Sequence, residues 1–176
     1  MSRKSRRVLE PQLPRFESNE AIEDYVKEKT LFKDSLNEIR LILQREGADK
    51  CHWFNKELAL DLDDVEKRKR LAQMGKTVDF VVGCVKNTLL MVEAKLRVKN
   101  ASTLSRKEIE EKIRHSKLLL KSENYSIHSL TALLLRPDCF EQNKNRVYRL
   151  FDNKTDVLYP LTVERFYQKV FDKSIK

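Results

Sequence analysis

Residues 77–85 (TVDFVVGCV) and 88–96 (TLLMVEAKL) are two apolar, β-prone runs separated only by Lys86-Asn87. Such a pair reads as an antiparallel hairpin. Nearly every position on both runs is apolar, so both faces of the hairpin must be covered, and the rest of the chain has to supply cover for two sides of a sheet. Three charged residues interrupt these runs: Asp79, Glu93 and Lys95. Ionisable side chains are seldom buried without a partner, so compensating charge is required close by. Glu93 and Lys95, two apart on one strand, share a face. Asp79 joins them only in the right register. A two-residue turn sets Asp79 across from Ala94, on the wrong face. A three-residue loop or a bulge at Gly83 shifts the pairing by one and brings Asp79 opposite Lys95.

The flanking segments supply helices and one more strand. Ile22, Tyr25 and Val26, then Leu36, Ile39 and Leu43, recur at helical spacing up to Gly47 and predict one helix over 19–46, or two broken near Thr30. Residues 51–54 (CHWF) suit a short strand. In 57–74, Leu58, Leu60 and Leu62 alternate as in a strand, while Val65, Arg68, Leu71 and Ala72 favour a helix over 63–74. Ser105 and Glu108, spaced as a capping box, open a helix over 105–121 carrying Ile109, Ile113, Leu118 and Leu120. Residues 129–135 read as a buried strand, and the 105–121 helix is long enough to bring it parallel to the hairpin's second strand. Residues 146–151 suit an edge strand, and 162–170 a terminal helix. Residues 1–16, with Pro11 and Pro14, read as a flexible basic arm, leaving 17–176 as a single domain. The fold class is α/β, a mixed central sheet flanked by helices.

The chain's 176 residues, 40% hydrophobic with three Gly and four Pro, are enough for one core and exclude collagen-like and low-complexity classes. No apolar stretch reaches the roughly 18–20 residues that span a bilayer, and the basic N-terminus leads into no apolar signal core. The expectation is a cytoplasmic protein with no membrane partner. Cys51, Cys84 and Cys139 are odd in number and form no C-x-x-C pair, so they read as reduced thiols. Glycines at 47, 75 and 83 build no Walker loop or dinucleotide fingerprint. Trp53 and Phe54 read as core aromatics.

The net charge of +9 is unevenly placed: residues 1–7 carry +4 and residues 86–121 carry +6, while the remainder carries −1. Basic charge confined to one tail and one segment suits a surface that follows a phosphate backbone.

The pattern Val78-Asp79, an apolar strand, a turn, then Leu89-Leu-Met-Val-Glu93-Ala-Lys95, with a helix before and a helix and strand after, resembles the PD-(D/E)xK nuclease superfamily. The proline before the first acid is replaced by Val78, and no Q-x-x-x-Y motif follows. The resemblance implies a restriction-endonuclease-like αβββαβ core and hydrolysis of DNA phosphodiester bonds by a metal-dependent endonuclease. It further implies Asp79, Glu93 and the Ala94 carbonyl as ligands of Mg²⁺ or Mn²⁺. Lys95 would position the water, and Glu38, on the first helix, would be a further catalytic acid. It places Lys112, Arg114, His115, Lys117 and Lys121 on the helix that touches nucleic acid, with DNA the expected partner and a homodimer or larger complex where both strands are cut. The other readings of the same residues are an inactive nuclease-like module that binds nucleic acid or a partner protein, and an inert ion pair.

Overall fold

The computed structural model describes residues 10–48, 51–69, 75–154 and 156–174. The sheet is built from β1 (Leu36–Glu38), β2 (Leu58–Asp61), β3 (Phe80–Cys84), β4 (Thr88–Lys95), β5 (Ser126–Ile127), β6 (Thr131–Leu135) and β7 (Leu158–Leu161). Its order is β1-β2-β3-β4-β6-β7, with β5 beside the start of β4. The first four strands run antiparallel as a meander; β5, β6 and β7 join in parallel. The helices are α1 (Glu20–Lys27), α2 (Ile39–Arg45), α3 (Leu62–Arg68), α4 (Arg106–Leu120), α5 (Phe140–Leu150) and α6 (Val163–Val170). The protein is therefore α/β, a mixed seven-stranded sheet flanked by helices.

Strand alternation sorts the apolar side chains into two cores. Phe80, Val82, Leu90, Val92, Ala132 and Leu134 face one way, against Ile39 and Leu43 of α2 and Phe166 and Val170 of α6. Val81, Leu89, Met91, Leu133 and Leu135 face the other, against Ile22 and Tyr25 of α1, Ile109 and Ile113 of α4 and Val147 of α5. Each such large side chain fully buried contributes about 1.5–3 kcal/mol of hydrophobic transfer, which explains why the hairpin is apolar throughout. At Gly83 a Cβ would stand 2.6 Å from the Ile22 nitrogen, so the backbone of α1 lies directly on β3. Helix α4 begins as expected, with the Ser105 hydroxyl accepting from the Glu108 amide at 3.2 Å, and it carries the chain from β4 to parallel β6.

Several expected elements come out differently. The helix over 19–46 is divided into α1, a 3-10 turn at Thr30–Phe32, strand β1 and α2. Leu36 pairs across to Leu60, and a spacing of three or four residues does not distinguish an edge strand feeding a helix from a continuous helix. Residues 51–54 form no strand; Phe54 packs on Phe166, Tyr167 and Phe171 instead. Both signals in 57–74 are real: the leucine alternation is β2, and the helix starts at Leu62 and closes at Arg68, residues 70–74 lying outside the described ones. Residues 146–150 belong to helix α5, which Phe151 caps and whose buried face is Phe140, Asn143 and Val147. The edge strand is β7, which carries Pro160; proline is tolerated at a sheet edge because one side needs no amide donor there. Of the N-terminal arm, residues 10–16 are docked: Leu13 is buried, the Phe16 amide donates to the Val170 carbonyl at 2.8 Å, and the Val85 amide donates to the Arg15 carbonyl at 2.9 Å. Residues 1–9 lie outside the described residues. Among the described residues no helix is long and apolar enough to cross a membrane.

Candidate active site

The hairpin loop decides which charged residues meet. Cys84 faces Thr88, so the loop is Val85-Lys86-Asn87, three residues, with Lys86 (φ 56°) and Asn87 (φ 50°) both left-handed. The ladder then sets Phe80 opposite Val92. Asp79, one residue outside it, donates its amide to the Val92 carbonyl at 3.1 Å, so Asp79 and Phe80 share one partner in the manner of a bulge. Asp79 therefore stands against Val92 and not opposite Lys95 as the sequence suggested; the pairing shifts by one residue, but in the other direction. Glu93 and Lys95 lie on one side of β4, and the Asp79 carboxylate meets the same end of that strand through the Ala94 amide.

Four acids gather at this end of β4. One carboxylate oxygen from each of Glu46, Asp63 and Asp79 lies within 4.8 Å of the others. Glu93, fully buried beside them, shifts the Asp79 carboxyl. Asp79 also accepts from the Ala94 amide at 2.6 Å, yet burial first and the Glu93 charge second push its pKa up to about 8. Burial and the Glu46 carboxylate likewise raise Asp63 above the ordinary range. Two ammonium groups serve Glu93. Lys95 Nζ is 2.9 Å and Lys112 Nζ 2.8 Å from the same oxygen, Oε1, while Oε2 is buried with no hydrogen-bond partner. Burial works against the Lys112 ammonium, but Glu93, Asp79 and Asp63 outweigh it and hold its pKa above the usual lysine value.

Asp79, Glu93, Ala94 and Lys95 are thus brought together. Glu38 is not: it closes β1, caps α2, and pairs at its surface with Arg40 at 3.1 Å. The acid that the α2 segment brings to the cluster is Glu46, at the other end of the helix, where its backbone amide caps the Ile42 carbonyl at 3.0 Å. Asp63 comes from the first turn of α3, positioned because Asp61 caps that helix through the Asp64 amide at 3.1 Å. Of the five basic-helix residues, two turn towards carboxylates: Lys112 to Glu93, and His115 to the buried Glu66 at 3.4 Å. Glu66 also holds Lys69 and the Gly75 amide. Arg114, Lys117 and Lys121 are exposed. Glu46, Asp63 and the inward role of Lys112 were not singled out from the sequence. The only signals for them were acids next to a helix end and a helix start.

A groove of about 1360 Å³ starts one residue along the chain from two members of the cluster, none of the cluster's own side chains lining it. Its wall includes Gly47, directly after Glu46, and Leu96 and Arg97, directly after Lys95; Trp53, Arg136 and Arg165 line it further out. Arg97 is pinned at the junction, donating to the Arg45 carbonyl at 2.9 Å, and a Cβ at Gly47 (φ 113°) would meet its Cγ at 2.8 Å. The three cysteines are free, Cys51 and Cys84 buried and Cys139 partly so. Compared with protein-family models, curated proteins and solved structures, the chain matches none.

Proposed function

We propose that this protein is a metal-dependent nuclease that hydrolyses DNA phosphodiester bonds, in the manner of the PD-(D/E)xK enzymes its hairpin resembles. The observation that carries the reading is the buried, unpartnered Oε2 of Glu93, whose carboxylate lies close enough to act on Asp79, a member of the Glu46, Asp63 and Asp79 acid group. A buried carboxylate oxygen with no donor is costly in a structural ion pair, where lone pairs are ordinarily filled. It is the expected condition of an oxygen whose partner is a cation from solution.

The donor set is all oxygen, which suits Mg²⁺ or Mn²⁺. Asp79 and Glu93 would hold the ion, with Glu46 and Asp63 completing the acidic wall and the Ala94 carbonyl as a further donor. A bound ion supplies Lewis-acid polarisation of the phosphodiester and a water of lowered pKa. Lys95, steadied on Glu93 Oε1, orients that water and offsets charge that develops on the phosphate. Arg114 and Lys117 on α4, and Lys121 just past its end, are left for backbone phosphates, adding salt-sensitive affinity.

The test is cleavage of plasmid DNA by the purified protein with Mg²⁺ or Mn²⁺. Cleavage that stops in EDTA and in Glu93→Ala and Lys95→Ala variants supports the reading. Cleavage unchanged in either variant overturns it. Salt-sensitive DNA binding without cleavage and without measurable metal affinity would favour a binding module instead.

A further inference from the structure

Lys112 was expected on the DNA-binding surface, but its ammonium sits inside the acidic cluster, with the side chain only 15% exposed. It shares Glu93 Oε1 with Lys95, so that oxygen already has two cationic donors while Oε2 has none. The fixed charges around the cluster can be counted from their contacts. Asp61, Glu46, Asp63, Asp79 and Glu93 are the acids; Arg45 serves Asp61, Glu46 and Asp63, at 2.8, 3.2 and 3.7 Å, and Lys95 and Lys112 serve Glu93. With the carboxylates ionised, five negative charges face three positive ones, and the remainder, minus two, is the charge of one divalent cation. A second divalent ion would leave the site with excess positive charge and would compete with Lys112 for Glu93 Oε1.

We propose that Lys112 is a built-in second cation: it fills the position a second metal would take and fixes the centre at one divalent ion per chain. The proposal rests on the metal-dependent reading above and assigns Lys112 a positioning role, holding Glu93 so that only Oε2 is offered. The oxygen left by Lys112 is the one from which a second ion could be bound. An ammonium cannot be replaced there by a neutral side chain without raising the negative charge by one. Arginine keeps the charge and the donors, though on a longer stem.

The experiment is Mn²⁺ titration of the full chain, without DNA, read by calorimetry for stoichiometry and by electron paramagnetic resonance for spin coupling between neighbouring ions. Wild type is expected to bind one Mn²⁺ with an uncoupled spectrum. Lys112→Met is expected to bind two, with the broadened spectrum of a coupled pair, and Lys112→Arg to return the stoichiometry to one. Wild type binding two ions, or Lys112→Met binding one with unchanged affinity, would overturn the role of Lys112 while leaving the metal-dependent reading intact. Wild type binding none would overturn both. Should Lys112→Met fail to fold, Lys112→Gln serves the same comparison, and the wild-type stoichiometry decides by itself against a two-ion centre.

Discussion

Asp61 and Glu93 are equally buried acids on strands of one sheet, and they are treated in opposite ways. Each Asp61 oxygen has two donors: Arg45 at 2.8 Å and Asn37 at 3.0 Å on Oδ2, Arg45 at 3.2 Å and the Asp64 amide at 3.1 Å on Oδ1. Glu93 has both of its donors on one oxygen and none on the other. The pairing with Asp61 also holds the Arg45 guanidinium well above its ordinary pKa. Saturation marks a carboxylate that joins elements, here β1, α2 and α3. An open lone pair in an equally dry place marks one kept for something else, and that contrast separates scaffold from site within about one strand's width.

The contrast can be broken first at Asp61. Asp61→Ala takes from the Arg45 guanidinium the nearest of its three carboxylate partners, leaves the Asn37 side-chain amide and the Asp64 backbone amide without their acceptor, and should cost about 2–3 kcal/mol, a fall of roughly 4–12 °C in midpoint for a chain of this size, measurable by thermal unfolding. Glu93→Ala should cost less, since it releases Lys95 and Lys112 but leaves Asp79 and Asp63 facing Lys112 and relieves the charge on Asp79, while lowering metal-dependent cleavage by at least about 100-fold; a stability loss as large as that of Asp61→Ala would place Glu93 with the scaffold. Asp79→Asn sharpens the comparison through pH. A carboxyl whose folded pKa lies near 8 against 3.8 when free binds a proton in the folded state that it gives up on unfolding. Its contribution is complete below about pH 4 and is lost as pH rises towards 8. Unfolding of the metal-free protein across that window should show wild type falling relative to Asp79→Asn, by at least about 1 kcal/mol at pH 8, with Mn²⁺ abolishing the difference. Parallel curves would mean that Asp79 is not strained by its surroundings. The smallest effect belongs to Glu38→Ala, expected within about 0.5 kcal/mol in stability and unchanged in metal affinity by the same titration.

Legibility in the sequence followed the range of the forces involved. The hairpin, α4 with its Ser105 cap, parallel β6 and α6 depend on local pattern and were readable from it. That Asp79 needs an irregular hairpin to meet Glu93 and Lys95 was readable as a condition on the loop, although the partner of Asp79 was misassigned. Glu46 and Asp63 could not be found this way, because they meet Asp79 only after α2 and α3 have docked. Lys112 looked like any other base on an amphipathic helix; its direction is fixed by Ile109 and Ile113, which bury the neighbouring stripe and swing it over β4. Glu38 failed for a simpler reason: a three-residue strand interrupts what the spacing presents as a helix, and the useful acid is one that ends the helix after it.

The three-residue hairpin loop has one more consequence. Strand parity is an integer property, so trimming that connection by a single residue would leave every side chain in place by name yet exchange one core for the other along one arm of the ribbon. A family of sequences built on this plan should therefore tolerate swaps of residue type at the bend far better than any change in its length.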